Sequence, residues 1–126
     1  LVADREELKK AMADNGDRFD GFVLGNQSAA LDNADAAAEL AGQKPVFSLA
    51  EKPIYNGAVG GVLSDDIKLG RWLADAVVAV VVNGKQIKDI PIRIDDEPTL
   101  YINMTAARRA GLDIPISILS VAKVIE

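Results

Sequence analysis

Short apolar runs alternate with capped helical stretches along the whole chain, and this alternation limits the fold more than any other feature. Strands that take turns with helices pair most readily as parallel strands, because each helix supplies the crossover that a parallel pair needs. The expected fold class is therefore α/β, a mainly parallel sheet with flanking helices. Phe19 to Gly25, Lys44 to Ser48 and Gly57 to Val62 read as three strands, Ile90 to Ile94 as an edge strand with proline inside it, and Leu100 to Asn103 as a further short strand. Gly57-Ala58-Val59-Gly60-Gly61 is so poor in side chains that another backbone is expected to approach it closely.

The helices are marked by caps and stops. Leu1 to Asn15 carries Leu8, Ala11 and Met12 at helical spacing and ends at Asn15-Gly16, with no clear cap before it. Ser28 is expected to cap a helix bearing Leu31, Ala34, Ala38 and Leu40 that stops at Gly42. Ala50 to Asn56 reads as an irregular turn. Ser64 is expected to cap the best-defined helix, with Asp65 and Asp66 favourable in its first turn and Asn83-Gly84 as its stop. Leu69, Trp72, Leu73, Ala76, Val77 and Val80 form its expected buried stripe. That periodicity outweighs the β-branched run Val77 to Val82. Thr105 is expected to cap Ala106 to Ala110, and Ser117 to begin a last helix with Ile118, Leu119, Ala122 and Val124 inward.

Composition removes several kinds of function. The chain has 126 residues and a net charge of −5, without the basic face that phosphate neutralisation requires, so nucleic acid is not an expected partner. There is no His and no Cys, which excludes the usual zinc sites, thiol nucleophiles, histidine bases and disulfides. Nothing assembles a nucleophile, a base and oxyanion donors, so the chain does not read as an enzyme, and no cofactor or metal is expected. The longest apolar run, Ala76 to Val82, has seven residues, far below the roughly twenty of a membrane helix. No charged segment followed by an apolar one opens the chain, so no secretory signal is expected in it.

Candidate ligand contacts lie where strands run into helices. Asn26, Gln27 and Ser28 follow one strand and Ser48 the next, at the edge where α/β sheets bind ligands, although Ser28 also reads as a simple cap. Asp65 reads either as a helix cap or as a ligand contact. Trp72 reads as core rather than as a stacking platform, and Asp95-Asp96-Glu97 as a solvated acidic turn.

Several stretches, in order, resemble one family. They are Phe19-Asp20-Gly21-Phe22-Val23-Leu24, Lys44-Pro45-Val46-Phe47, Asp65-Asp66-Ile67-Lys68-Leu69-Gly70-Arg71, Asn83-Gly84-Lys85 with Asp89-Ile90-Pro91-Ile92, Tyr101 to Ala107, and Ala110 to Pro115. Together they resemble the substrate-binding proteins of ABC transporters, a family that includes tryptophan and tyrosine receptors. The likeness spans nearly the whole chain, but only the C-terminal part of a typical member. It departs at Leu63, Asp66 and Ile67, where the family often has a glycine and aromatic residues.

The resemblance implies part of a type I periplasmic-binding-protein fold, two α/β lobes joined by crossing strands. Residues 1–56 would be a piece of one lobe, and residues 57–126 the crossover and a piece of the other. It implies an extracytoplasmic solute-binding component of an ABC importer, taking a small polar or amino-acid-like ligand in a cleft between lobes, with Asn26, Gln27, Ser28, Ser48 and Asp65 as ligand-binding residues. The partners would be the small-molecule ligand and the ABC permease. Two other readings stay open, a ligand-sensing domain of a membrane signalling protein and an interaction domain without ligand. Because such a chain leaves strand edges and apolar faces without neighbours, a homodimer is also expected.

Overall fold

The computed structural model describes residues 2–126; Leu1, the first residue of the expected N-terminal helix, lies outside them. The elements are α1 (Arg5–Asn15), β1 (Phe22–Leu24), α2 (Ser28–Leu31), α3 (Ala34–Ala41), β2 (Val46–Ser48), α4 (Glu51–Tyr55), β3 (Gly60–Leu63), α5 (Asp66–Val81), β4 (Thr99–Asn103), α6 (Met104–Arg109), α7 (Ile116–Leu119) and β5 (Lys123–Ile125). The five strands form one sheet in the order β1-β2-β3-β4-β5. The β1–β2, β2–β3 and β4–β5 pairs are parallel, with Leu24 opposite Ser48 and Phe47 opposite Gly60. The fold is the expected α/β sheet with flanking helices.

The chain divides into two compact units, Leu1–Leu63 with Leu100–Glu126, and Ser64–Thr99. β4 returns the chain to the sheet it left after β3. In the first unit, Leu8 and Met12 of α1 and the alanines of α2 and α3 pack on Leu24 and Val46. Ala34, Ala36, Ala37, Ala38 and Ala41 are all buried. Side chains that small let the helix lie close to the sheet. A second cluster joins Val59 to Ala106 and Ala107 of α6. Strands in sequential order with right-handed crossovers carry their helices on one face. In agreement, Val23 and Phe47, opposite each other in β1 and β2, are exposed.

The glycines of β3 meet the backbone anticipated for them. A Cβ on Gly61 would collide with the Ser48 carbonyl of β2, and one on Gly60 with the Tyr101 carbonyl of β4.

In the second unit, α5 forms where the periodicity places it, but none of its residues is buried. Leu73 is 68% exposed and Val77 51%, while Trp72, Ala76 and Val80 are half-buried. An apolar stripe is buried only by a layer opposite it. The unit offers this helix only the segment 82–99, which covers one side. Ile90 to Ile94, expected as an edge strand, has no strand conformation, and Ile92 is 95% exposed. A strand is held by its neighbour's hydrogen bonds, and alternation cannot replace them.

Several helix ends also differ from expectation. Asp4 caps α1 by accepting from the Glu7 N–H, so the helix does have a cap. The helix expected from Ser28 breaks into α2 and α3 at Asp32-Asn33. Residues 51–55 form α4 rather than an irregular turn. Asp65 rather than Ser64 caps α5, and Asn103 rather than Thr105 caps α6. The last helix stops at Leu119, and Lys123 to Ile125 become β5, in register with Tyr101 to Asn103.

Gly61→Ala is expected to lower stability by about 1–3 kcal/mol, because the methyl group displaces a sheet backbone. Gly70→Ala, in mid-helix with open space at its Cβ, is expected to raise it by about 1 kcal/mol. Urea unfolding midpoints of the two variants should therefore shift in opposite directions.

Candidate functional site

In the first unit, β1 and β2 run parallel with Leu24 level with Ser48, so the loops that follow them leave the same edge of the sheet side by side. Asn26, Gln27 and Ser28 are exposed on the first of these loops. Gln27 occupies the N-cap position of α2 without a side-chain capping bond, and Ser28 is the first helical residue rather than the cap. An uncapped helix start beside exposed amide and hydroxyl groups offers donors and acceptors to a small polar molecule.

Ser48 is placed differently. It is 1% exposed, and its hydroxyl oxygen accepts from the Ala50 N–H at 3.0 Å, which shapes the turn into α4. At the end of β4, Asn103 is also buried. It donates from Nδ2 to the Ile54 carbonyl at 2.7 Å, and its Oδ1 accepts from the Ala106 N–H at 2.9 Å. Asn103 thereby ties the end of α4 to the start of α6, beside Val59 just before β3, whose carbonyl accepts from the Asn103 N–H. Sequence reasoning missed this role, although the signal was present in an asparagine three residues before Ala106, at capping distance.

Asp65 lies in the second unit. Its Oδ1 accepts from the N–H groups of Ile67 at 2.7 Å and Lys68 at 3.1 Å. A carboxylate satisfies two orphan donors here and opposes the positive end of the helix dipole. Asp65 is exposed, so this cap stands at the surface.

Next to it the acidic turn departs from expectation. The Asp95 side chain is 3% exposed and forms an ion pair with Lys68 at 2.5 Å, while Asp96 is solvated. The bonded ammonium holds the Asp95 carboxyl below the usual carboxylate range, and that carboxylate raises Lys68 above the usual lysine range. Lys68 and Arg93 also lie over the Trp72 ring, 5.3 and 5.7 Å from its centroid. Trp72 is thus half-buried with two cations close to its ring, at a groove shared with Ala76, Ala79 and Pro91.

No group of three or more metal-ligating side chains occurs among the described residues. The strand-edge arrangement suits non-covalent recognition. The chain belongs to the ABC transporter substrate binding protein family, whose pattern it matches over residues 1–125. That family is one of binding proteins rather than enzymes.

Solved structures agree on the fold. A conserved domain protein from Vibrio cholerae superposes with a TM-score of 0.80 at 22% identity, over 99% of this chain and 43% of that one. An ABC domain in complex with L-Trp from Streptococcus pneumonia gives 0.79 at 21% identity, over 98% of this chain and 44% of that one. A ligand-free, open substrate binding protein with adhesive properties from Clostridium difficile gives 0.75 at 16%, over 99% and 42%. This chain therefore spans less than half the length of each. No curated protein matches it.

Asp65→Ala is expected to cost about 1 kcal/mol, with Asp65→Asn close to neutral. Hydrogen exchange of the first-turn amides of α5 is the direct measurement.

Proposed function

We propose that this chain is part of the extracytoplasmic solute-binding component of an ABC importer, and that it holds a small polar or amino-acid-like ligand without chemistry. One observation carries the reading. In a chain of this family, the exposed Asn26-Gln27-Ser28 loop emerges beside the Ser48 turn at the carboxyl edge of parallel strands. Asn26, Gln27 and Ser28 are the direct contacts in this proposal. Ser48 acts from beneath, through the turn it holds. Asp65, whose exposed carboxylate caps α5, is a further ligand contact in this proposal. The L-Trp bound to the Streptococcus pneumonia domain supports an amino acid as the ligand class.

In a two-lobed protein the ligand acts by favouring the closed form. The ABC permease is then the partner that reads closure. The two chain connections, at Leu63-Ser64 and Thr99-Leu100, are the crossovers between lobes in this proposal.

The exposed α5 face is an interface in the same reading. In a longer protein it is covered by the remainder of its lobe; the 126-residue chain alone covers it with a second copy. Leu73, Val77 and Val81 supply the apolar ridge. Two antiparallel α5 helices would set Asp66 at one end opposite Lys85 and Lys88 beyond the other, a self-complementary pattern.

Two measurements test these proposals. Calorimetry of the complete gene product with L-Trp, L-Tyr and L-Leu is expected to show saturable binding by at least one of them. Asn26→Ala and Asp65→Ala should each weaken it by about tenfold or more, as for hydrogen bonds to charged groups. Unchanged affinity in a variant removes that residue from the site, and absence of binding to all three rejects the amino-acid class. Light scattering at micromolar concentration is expected to give twice the 13.4 kDa chain mass. A stable monomer rejects the paired form.

A further inference from the structure

We propose that Asn83 is a self-modifying site, where the folded chain converts asparagine to aspartate and isoaspartate ahead of its other Asn-Gly pairs, and that the product loosens the end of α5. Asn-Gly occurs three times in the sequence, at Asn15-Gly16, Asn56-Gly57 and Asn83-Gly84. Each pair carries the same potential reaction, because glycine has no side chain to keep its backbone nitrogen away from the asparagine carboxamide. The fold makes three equal dipeptides unequal.

Two of the three are held. The Asn15 side chain donates from Nδ2 to the Ala11 carbonyl at 2.9 Å, and its Oδ1 accepts from Arg18 Nη1 at 3.2 Å. Gly16 keeps a helical backbone, with φ −54° and ψ −41°, and both residues are half-buried. Attack there requires the side-chain bonds to open first. At Asn56 the glycine is the part that is fixed. The Gly57 N–H donates to the Ile54 carbonyl at 3.4 Å, and the Gly57 carbonyl accepts from Arg109 Nη2 at 2.7 Å. A Cβ on Gly57 would lie 3.0 Å from that of Ala38, so α3 also limits its movement.

Asn83-Gly84 has none of these restraints. Both residues are exposed, and a Cβ on Gly84 would meet nothing within 4 Å. Among the described residues, neither the Asn83 carboxamide nor the Gly84 N–H has a hydrogen-bond partner. The flanking bonds, Asn83 N–H to the Val78 carbonyl at 3.1 Å and Lys85 N–H to the Ala79 carbonyl at 2.9 Å, hold the turn but leave both reacting groups free. In the reaction the Gly84 nitrogen gives its proton to hydroxide and attacks Asn83 Cγ. The new N–Cγ bond closes a succinimide, and the Cγ–Nδ2 bond breaks to release ammonia. Water then opens the ring. Cleavage of the N–Cγ bond leaves aspartate, and cleavage between that nitrogen and the Asn83 main-chain carbonyl leaves isoaspartate. Water is consumed, ammonia is released, and nothing is oxidised or reduced.

Either product works against the helix it follows. A new carboxylate at position 83 stands at the negative end of the α5 dipole. Isoaspartate also routes the main chain through its own side chain, which lengthens the turn and spoils the bond from Lys85 to Ala79. The last turn of α5 is thereby released, while its start, capped by Asp65, is untouched. The proposal is independent of which ligand is bound.

Peptide mapping by mass spectrometry tests this on chain aged in warm, mildly alkaline buffer. Asn83 is expected to convert about tenfold or more faster than Asn15 and Asn56, where hydrogen bonds must open before attack. In urea the three sites are expected to react at comparable rates, since only the fold separates them. Equal rates in the native chain overturn the proposal, as does a faster reaction at Asn15 or Asn56, or an order that survives in urea. Hydrogen exchange reads the consequence. In converted chain, residues 80–85 should exchange about tenfold faster than in fresh chain, with residues 67–69 unchanged. Asn83→Gln, aged alongside, should keep the fresh-chain rates throughout. Unchanged exchange at residues 80–85 in converted chain overturns the loosening, and so does the same acceleration in aged Asn83→Gln.

Discussion

The sheet of the first unit depends on one close approach, the bare backbone of β3 pressed between β2 and β4. Gly60 and Gly61 have no side chain to keep the Tyr101 and Ser48 carbonyls away. Because they yield that space, strands from residues 22–63 and from residues 99–125 join in one sheet. The residues just before β3 tie the packing to this sheet. Ala58 belongs to the cluster under α1 to α3, and its neighbour Val59 to the cluster under α6. A larger residue at either glycine would push apart the strands that present the Asn26-Gln27-Ser28 loop, the Ser48 turn and the Asn103 cap.

The second unit shows what happens when the opposing layer is absent. Its helix is well capped and regular, yet an apolar face stays open from Leu69 to Val81. Polar ties do the work of packing on the other side. Lys68 and Arg93 lie over Trp72, Arg93 reaches Asp75 at 3.5 Å, and Lys68 reaches Asp95. Cation–aromatic contacts and one buried ion pair thus hold the segment 82–99 against α5. Such contacts fix orientation well, but they remove little apolar area from water.

The candidate site was only partly legible in the sequence. The order of strand, loop and helix was enough to place Asn26, Gln27 and Ser28 at a strand end, because that order follows from local pattern. The depth of each side chain was not legible. Ser48 and Ser28 look alike in sequence, but one is buried beneath a turn and the other is exposed. Asp95 and Asp96 are adjacent acids of one kind, and only the position of Lys68, 27 residues earlier, sends the first inward.

By itself the sequence determined the extent of α5, the strands β1, β2 and β4, the need for a close backbone neighbour at Gly60-Gly61, and the family resemblance. These rest on periodicity, capping and steric room, which act within a few residues. Tertiary structure alone decided that Ile90 to Ile94 is not a strand, that Lys123 to Ile125 is one, that the α5 stripe stays uncovered, that Ser48 and Asn103 are buried, and that the Asp95 side chain turns inward to Lys68. Each of those outcomes requires a partner from elsewhere in the chain. A strand exists only beside another strand, and a side chain is buried only by what packs over it. Local sequence carries the tendency, and distant residues decide whether it is realised.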